Sequence, residues 1–372
     1  MKLNKKAILS VSLMFISSVA FSQKLMIGTY KFPKDGASYY GELSSGKPSG
    51  KGKTTFKNGD VYEGQYSKGK RQGYGVYTFA DGEKYEGEWF DDHQHGHGIY
   101  YFANNNRYDG LWYADYQEGE GTMVYYNGDK YVGQWHLDKR EGKGRYTFAN
   151  GVYYDGEWKD DKRDGMGEYN WNDGTYYKGQ MKNGMREGRG VYRYSTGDKY
   201  TGGWREDKKE GKGIYEFNNG DRYEGDYLND LRSGEGIFTY HNGSKYQGTF
   251  RLGFMEGYGT FFWSDGSKYE GYWKNDERNG RGKYTSKDGE TYDGEWVNDE
   301  MNGDGVLRGR DGSKAKGRFK DGKKHGKFIE EDAKGVRFEG TYVNDIRDGS
   351  FVEKDRNGSV IRRGTYKMGR LE

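Results

Sequence analysis

The sequence predicts an all-β protein, an elongated single-layer antiparallel sheet built of consecutive β-hairpins, and three observations carry that expectation. A Tyr-x-Gly triplet begins at Tyr39, Tyr62, Tyr85, Tyr108, Tyr131, Tyr154, Tyr177, Tyr200, Tyr223, Tyr246, Tyr269 and Tyr292, each step being 23 residues. A fixed period of that size marks a repeat architecture. Inside each period, aromatic or glycine residues alternate with charged ones, as in Tyr85-Glu86-Gly87-Glu88-Trp89, which is the pattern of a strand with one polar face. Composition excludes the main alternatives. Of 372 residues 64 are Gly, 37 Tyr and 2 Pro, and only 32% are apolar, whereas globular domains with aliphatic cores are about half apolar. Aromatics at 17% are equally foreign to disordered chains. The absence of Cys removes disulfides, thiolate nucleophiles and Cys-ligated zinc.

Taken in order, residues 1–22 read as a cleaved signal peptide. Lys2, Lys5 and Lys6 precede an apolar run from Ala7 to Phe21, and Ala20-Phe21-Ser22 places small residues before Gln23, the layout a signal peptidase reads. The run is shorter than the roughly 20 residues of a spanning helix, and no Cys offers a lipoprotein anchor. The expectation is export to the periplasm, the outer cell surface or the medium. Loss of this segment removes three Lys and no acid, which takes the formal charge from +3 to zero. A neutral chain has no electrostatic footing for general nucleic-acid binding.

Residues 23–38 resemble the second half of a unit and are expected to cap the array. Twelve regular units fill 39–314, and 315–372 form a divergent, basic C-terminal cap. Counting from the first Tyr, Gly occupies position 3 in fifteen units, position 12 in fourteen, position 14 in twelve and position 21 in thirteen, the last unit being truncated. Position 5 is always large and apolar. The alternation returns in Gly142-Lys143-Gly144-Arg145-Tyr146-Thr147-Phe148, so each unit is two strands. Segments such as Asp160-Asp161 turn the chain within a unit, and Asn-Gly or Asp-Gly pairs such as Asn58-Gly59 and Asp81-Gly82 turn it between units. If residues on one face pair, position 5 opposes 12, 3 opposes 14 and 1 opposes 16, which sets Trp89 against Gly96 as an aromatic cover for a strand glycine. Position 18 then opposes the next unit's Tyr, through an odd loop with a bulge at the position-21 Gly.

Segments such as Tyr154-Asp155-Gly156-Glu157-Trp158, followed by Gly165-Met166-Gly167 and Asn172-Asp173-Gly174, resemble MORN (membrane occupation and recognition nexus) repeats, and the resemblance covers residues 39–372. It implies a twisted antiparallel sheet used for protein interaction, self-association and, in some members, contact with acidic phospholipid. The chain departs from the pattern at Asn105, Ala315, Phe328 and Phe351, which stand where the repeat has Gly, Tyr, Gly and Gly.

Function is expected to lie in binding. The repeats leave no stretch for a catalytic domain, so no enzyme, small-molecule substrate or cofactor is expected. The carboxylate pairs Asp91-Asp92 and Asp160-Asp161 recur where Asp serves turn backbone. The leading expectation is an exported scaffold that binds protein partners or itself through its aromatic face, with Trp89, Trp112, Trp135, Trp158, Trp204, Trp273 and Trp296 as candidate contacts. A second expectation is docking to acidic phospholipid headgroups through Arg308, Arg310, Lys314, Lys316, Arg318, Lys320, Lys323, Lys324 and Lys327, nine cations against Asp311 and Asp321. A third is glycan binding by Tyr and Trp platforms beside carboxylates. His93, His95 and His97 form the most metal-like cluster, and since the repeat pattern itself carries His at His95 and His325, no metal is assigned.

Overall fold

The computed structural model describes residues 25–372, and the segment read as a signal peptide lies outside them. The described chain is all β, with 32 strands assigned to one antiparallel sheet. The sheet is open: Met26–Lys31 pairs with Ser38–Ser44, and the short final strand Arg370–Leu371 with Val360–Lys367. By internal contacts the chain divides into two compact units, one running to Asn127 with Trp135–Asp138, the other comprising Gly128–Gln134 and Lys139–Glu372. Each is described by itself.

In the first unit a repeat is the strand Lys84–Phe90 followed by His93–Tyr101. The two-residue turn between them has Asp91 and Asp92 at φ 52° and 75°. That is the double left-handed geometry that matches strand twist, and Asp and Asn tolerate it. The next turn is a three-residue loop: Phe102 N–H donates to Asn106 O at 3.0 Å and Asn105 N–H to Phe102 O at 3.0 Å. Its third residue, at position 21, has positive φ, 65° for Asn105 and 93° for Gly82, so Asn replaces Gly there without altering the loop.

The expected register holds for two pairs and fails for two. Tyr85 opposes Tyr100 and Gly87 opposes Gly98, but Trp89 opposes Gln94 and not Gly96, and the register shifts between Gly87 and Glu88. The cause is the position-12 glycine: Gly96 has φ 61°, so it is bulged out of the ladder and is not a strand residue under a ring. Trp89 does meet a position-12 glycine, but it is Gly73 of the preceding unit. Across the inter-unit loop it is Tyr100, at position 16, that opposes Tyr108. Position 18 sits at the loop edge, two residues out of the expected register on the expected face.

The second unit repeats this scheme. The strand Tyr153–Lys159 pairs with Lys162–Asn170, with Tyr154 against Tyr169 and Trp158 against Arg163. In both units the first Tyr is the core residue: Tyr62, Tyr85, Tyr108, Tyr131, Tyr200, Tyr223, Tyr246 and Tyr269 are 0% exposed. Each lies over the two glycines that face each other in its hairpin, and a Cβ on Gly64 or Gly75 would overlap the Tyr62 ring. The Tyr62 hydroxyl donates to Gln65 O at 3.0 Å and that of Tyr154 to Glu157 O at 3.0 Å, which satisfies the one polar atom of a buried ring. Burial holds both phenols well above their ordinary pKa.

Near the C-terminus two departures compensate one another. Ala315 vacates the Tyr position, and Phe328, 1% exposed, stands at the position-14 glycine and fills the space from the other strand. In the following unit Phe338 and Phe351 stack at 5.5 Å.

Candidate interaction surface

The seven candidate tryptophans are buried, at 4–6% exposure. Six of the indoles donate Nε1–H to the position-14 carbonyl of the preceding unit: Trp89 to Gly75 at 3.2 Å, Trp112 to Gly98 at 3.2 Å, Trp135 to Gly121 at 3.4 Å, Trp158 to Gly144 at 2.9 Å, Trp273 to Gly259 at 3.2 Å and Trp296 to Gly282 at 3.1 Å. The Trp204 Nε1–H is buried without a partner, and nothing in the structure explains it. Arginines at position 10 of the preceding unit lie over several of these rings. Arg71 is 4.2 Å from the Trp89 centroid, Arg140 4.3 Å from Trp158, Arg186 4.2 Å from Trp204 and Arg278 4.1 Å from Trp296. These tryptophans therefore bind one unit to the next, and a partner reaching this face meets other side chains.

The same arginines explain the carboxylate pairs. Asp161 accepts from Arg140 N at 3.1 Å and Nε at 2.9 Å, and Asp160 pairs with Lys139 at 2.8 Å. Asp92 accepts from Arg71 N at 2.8 Å, and Asp91 pairs with Lys70. Each pair clamps its turn to the neighbouring hairpin, and its carboxylates are occupied by that task.

The accessible aromatic line lies in another column. Half-buried rings at positions 16 and 18 alternate along the second unit from Tyr146 through Phe148, Tyr169, Trp171, Tyr192 and Tyr194 to Trp263 and Tyr284. Adjacent centroids are 4.4–6.3 Å apart. The first unit carries the same columns through Phe56, Tyr77, Phe79, Tyr100 and Phe102, of which Tyr77 is buried and the others half-buried. The sequence-based expectation placed the contacts in the Trp column of the aromatic face. The signal it passed over was that position 18 abuts a turn, where a ring cannot be covered by a neighbouring strand on both sides.

The histidines diverge. His93 Nδ1 is 2.5 Å from Asp115 and His97 Nε2 3.1 Å from Asp109, while the His95 ring packs between Phe90 and Tyr113 at 5.5 and 5.1 Å. Among the described residues no cluster of three His, Cys, Asp or Glu side chains could hold a metal ion.

The basic run spans three neighbouring strands of the second unit, Glu300–Arg308, Lys314–Lys320 and Lys323–Glu331. Lys314, Lys316, Arg318 and Lys320 alternate along one strand and so share the polar face. Arg308 opposes Lys314 and Lys320 opposes Lys323, like charges set side by side. Arg308, Arg310, Lys316, Arg318, Lys320, Lys323 and Lys327 are exposed, and the described ion pairs include none of them. Lys324 stands apart, since its ammonium turns to the aromatic face and pairs with Glu330. Glu330 also accepts from Tyr342 at 2.7 Å and Arg347 at 3.1 Å. Burial opposes its charge, yet the hydrogen bonds from Lys324 and Tyr342 outweigh that and hold its carboxyl below the usual range.

A family model described as MORN repeat matches fourteen segments, twelve of them running without a gap over 39–314, with two further matches at 316–327 and 338–360. None of the curated proteins compared with the chain matches it. Among solved structures it is similar to the TCP10 domain of Danio rerio CPAP, at 17% identity over 54% of this chain and 94% of that one, with a TM-score of 0.32. It is also similar to the SAS-4 TCP domain of Drosophila melanogaster, solved with a proline-rich motif of Ana2, at 17% identity over 42% and 85% of the two chains, with a TM-score of 0.27.

Proposed function

Given that this chain belongs to the MORN repeat family, we propose that it is a non-catalytic scaffold, exported from the cytoplasm, that binds protein partners or a second copy of itself along its repeat surface. The observation that carries the reading is the ribbon of half-buried rings at positions 16 and 18, presented once per 23-residue step. Rings of this kind bury much area at low entropic cost and dominate protein contacts, and regular spacing lets weak contacts add through effective concentration. Export rests on the basic, apolar and small-residue order of residues 1–22. Crosslinking in intact cells, paired with sedimentation of the purified chain, tests it. The reading expects protein neighbours or a concentration-dependent dimer, and a monomer with no neighbour contradicts it.

A second reading, docking to acidic phospholipid, is favoured by one observation, the seven exposed cations on three adjacent strands and the loop joining the first two of them. Each such charge contributes about 1 kcal/mol near an anionic surface. Cosedimentation with anionic vesicles over a salt series, beside a variant with Lys316, Arg318, Lys320 and Lys327 changed to Gln, tests it. The expected result is anionic-selective binding that salt weakens and the variant loses.

A further inference from the structure

Four bulky columns fill the aromatic face of a regular unit, at positions 1, 5, 16 and 18, and in the second unit the last two thin out together. Position 18 passes from Trp263 to Ser286 and Gly309, and position 16 from Tyr284 to Leu307. Phe328 makes up for the ring missing at Ala315, but nothing makes up for these. The consequence is a cavity of about 850 Å³ whose walls include Tyr284, Ser286, Glu290, Trp296, Leu307 and Phe338. That is the size and mixed lining of a ligand site, and it lies where the second unit's ribbon ends, the next residues at positions 16 and 18 being Glu330 and Asp332.

One wall also lacks a partner that its counterparts have. In regular units the acid at position 22 accepts from the position-16 tyrosine of the next unit. Tyr77 donates to Asp60 at 2.6 Å, Tyr146 to Asp129 at 2.6 Å and Tyr215 to Asp198 at 2.9 Å. Glu290 occupies that acid position, but the residue that would donate to it is Leu307. Among the described residues the hydrogen bonds at Glu290 are those of its backbone with Ser286, its N–H donating to Ser286 Oγ at 3.1 Å and its carbonyl accepting from Ser286 N at 2.8 Å. Its exposed carboxylate belongs to the wall of this cavity, with no ring at position 16 to donate to it.

We propose that this hollow receives a tyrosine side chain presented by a protein partner, the ring continuing the aromatic ribbon and the hydroxyl donating to Glu290. The inference rests on the scaffold reading and names the chemistry of its partner. A phenol supplies both what the repeat pattern lacks here, a ring and a donor. A phenylalanine supplies only the first.

Saturation-transfer NMR on the purified chain, with N-acetyl-tyrosinamide and N-acetyl-phenylalaninamide as probes, tests this. Tyrosinamide is expected to bind about tenfold more tightly than phenylalaninamide, the difference a hydrogen bond to a charged group makes. Leu307→Tyr restores the regular pattern, filling the hollow and supplying the donor from within, so it is expected to abolish binding while melting no lower than the parent. Ser286→Phe blocks the same space independently. Glu290→Leu is expected to keep ring binding and lose the preference for tyrosine. Absence of binding to the parent chain, equal affinity for the two probes, or undiminished binding in both filled variants overturns the proposal. A chain that ignores the probes yet crosslinks to protein neighbours in cells loses the hollow and keeps the scaffold reading, so the two fail separately.

Discussion

A methyl group added at Gly75 would overlap the Tyr62 ring, whereas one added at Gly82 meets nothing within 4 Å. The two glycines are therefore required for different reasons, the first by packing and the second by its φ of 93°. Gly75→Ala is expected to destabilise by about 3 kcal/mol or more, since the overlapped ring is 0% exposed and has no room to retreat. Gly82→Ala should cost about 1 kcal/mol, the penalty of a left-handed alanine. Denaturant melts of the two variants give the order directly. The Arg140 stack is a second residue-scale test. Its guanidinium lies over Trp158 and bonds to Asp161, so Arg140→Lys should lose about 1 kcal/mol although the charge is kept, because a lysine cannot stack and bridge at once.

At the level of the hairpin, positions 1, 3, 14 and 16 were legible from the sequence because they alternate strictly and must share a face. Their pairing in Tyr85 with Tyr100 and Gly87 with Gly98 follows from that alone. The position-12 bulge was not legible, because a glycine under a ring and a glycine at positive φ look identical as letters. The same ambiguity hid the site: a Trp column reads as a display of rings, but in the fold Arg71 and Gly75 close over Trp89. The C-terminal hairpins carry a pH prediction of their own. The folded pKa of Glu330 is depressed, so its contribution is present above the ordinary carboxylate pKa of about 4.3 and is lost as pH falls through the lower folded value. Hydrogen-exchange protection factors, each normalised to the intrinsic amide rate at its own pH, are expected to fall from pH 7 to pH 3 by more over 323–354 than over 153–170. Glu330→Gln should remove that difference, and an equal fall in both segments would refute it.

For the chain as a whole, the period makes a prediction that no single contact makes. Because a strand's faces alternate with period two, removing one whole unit joins like to like, while removing one residue fewer inverts every side chain beyond the junction. Deleting residues 223–245 should leave the circular-dichroism spectrum per residue unchanged and the melting temperature within a few degrees. Deleting 223–244 should unfold the hairpins around the junction. What the whole repeat surface does is the claim most exposed to test. A photo-crosslinking amino acid placed in turn at Trp171, Tyr194 and Phe217 on the ribbon, and at Lys178 and Lys212 on the polar face, would be activated in intact cells. The scaffold account predicts that the ribbon positions capture one and the same protein, or a second copy of the chain, and that the polar-face positions do not. Capture from the polar face alone, or from neither face, would contradict it.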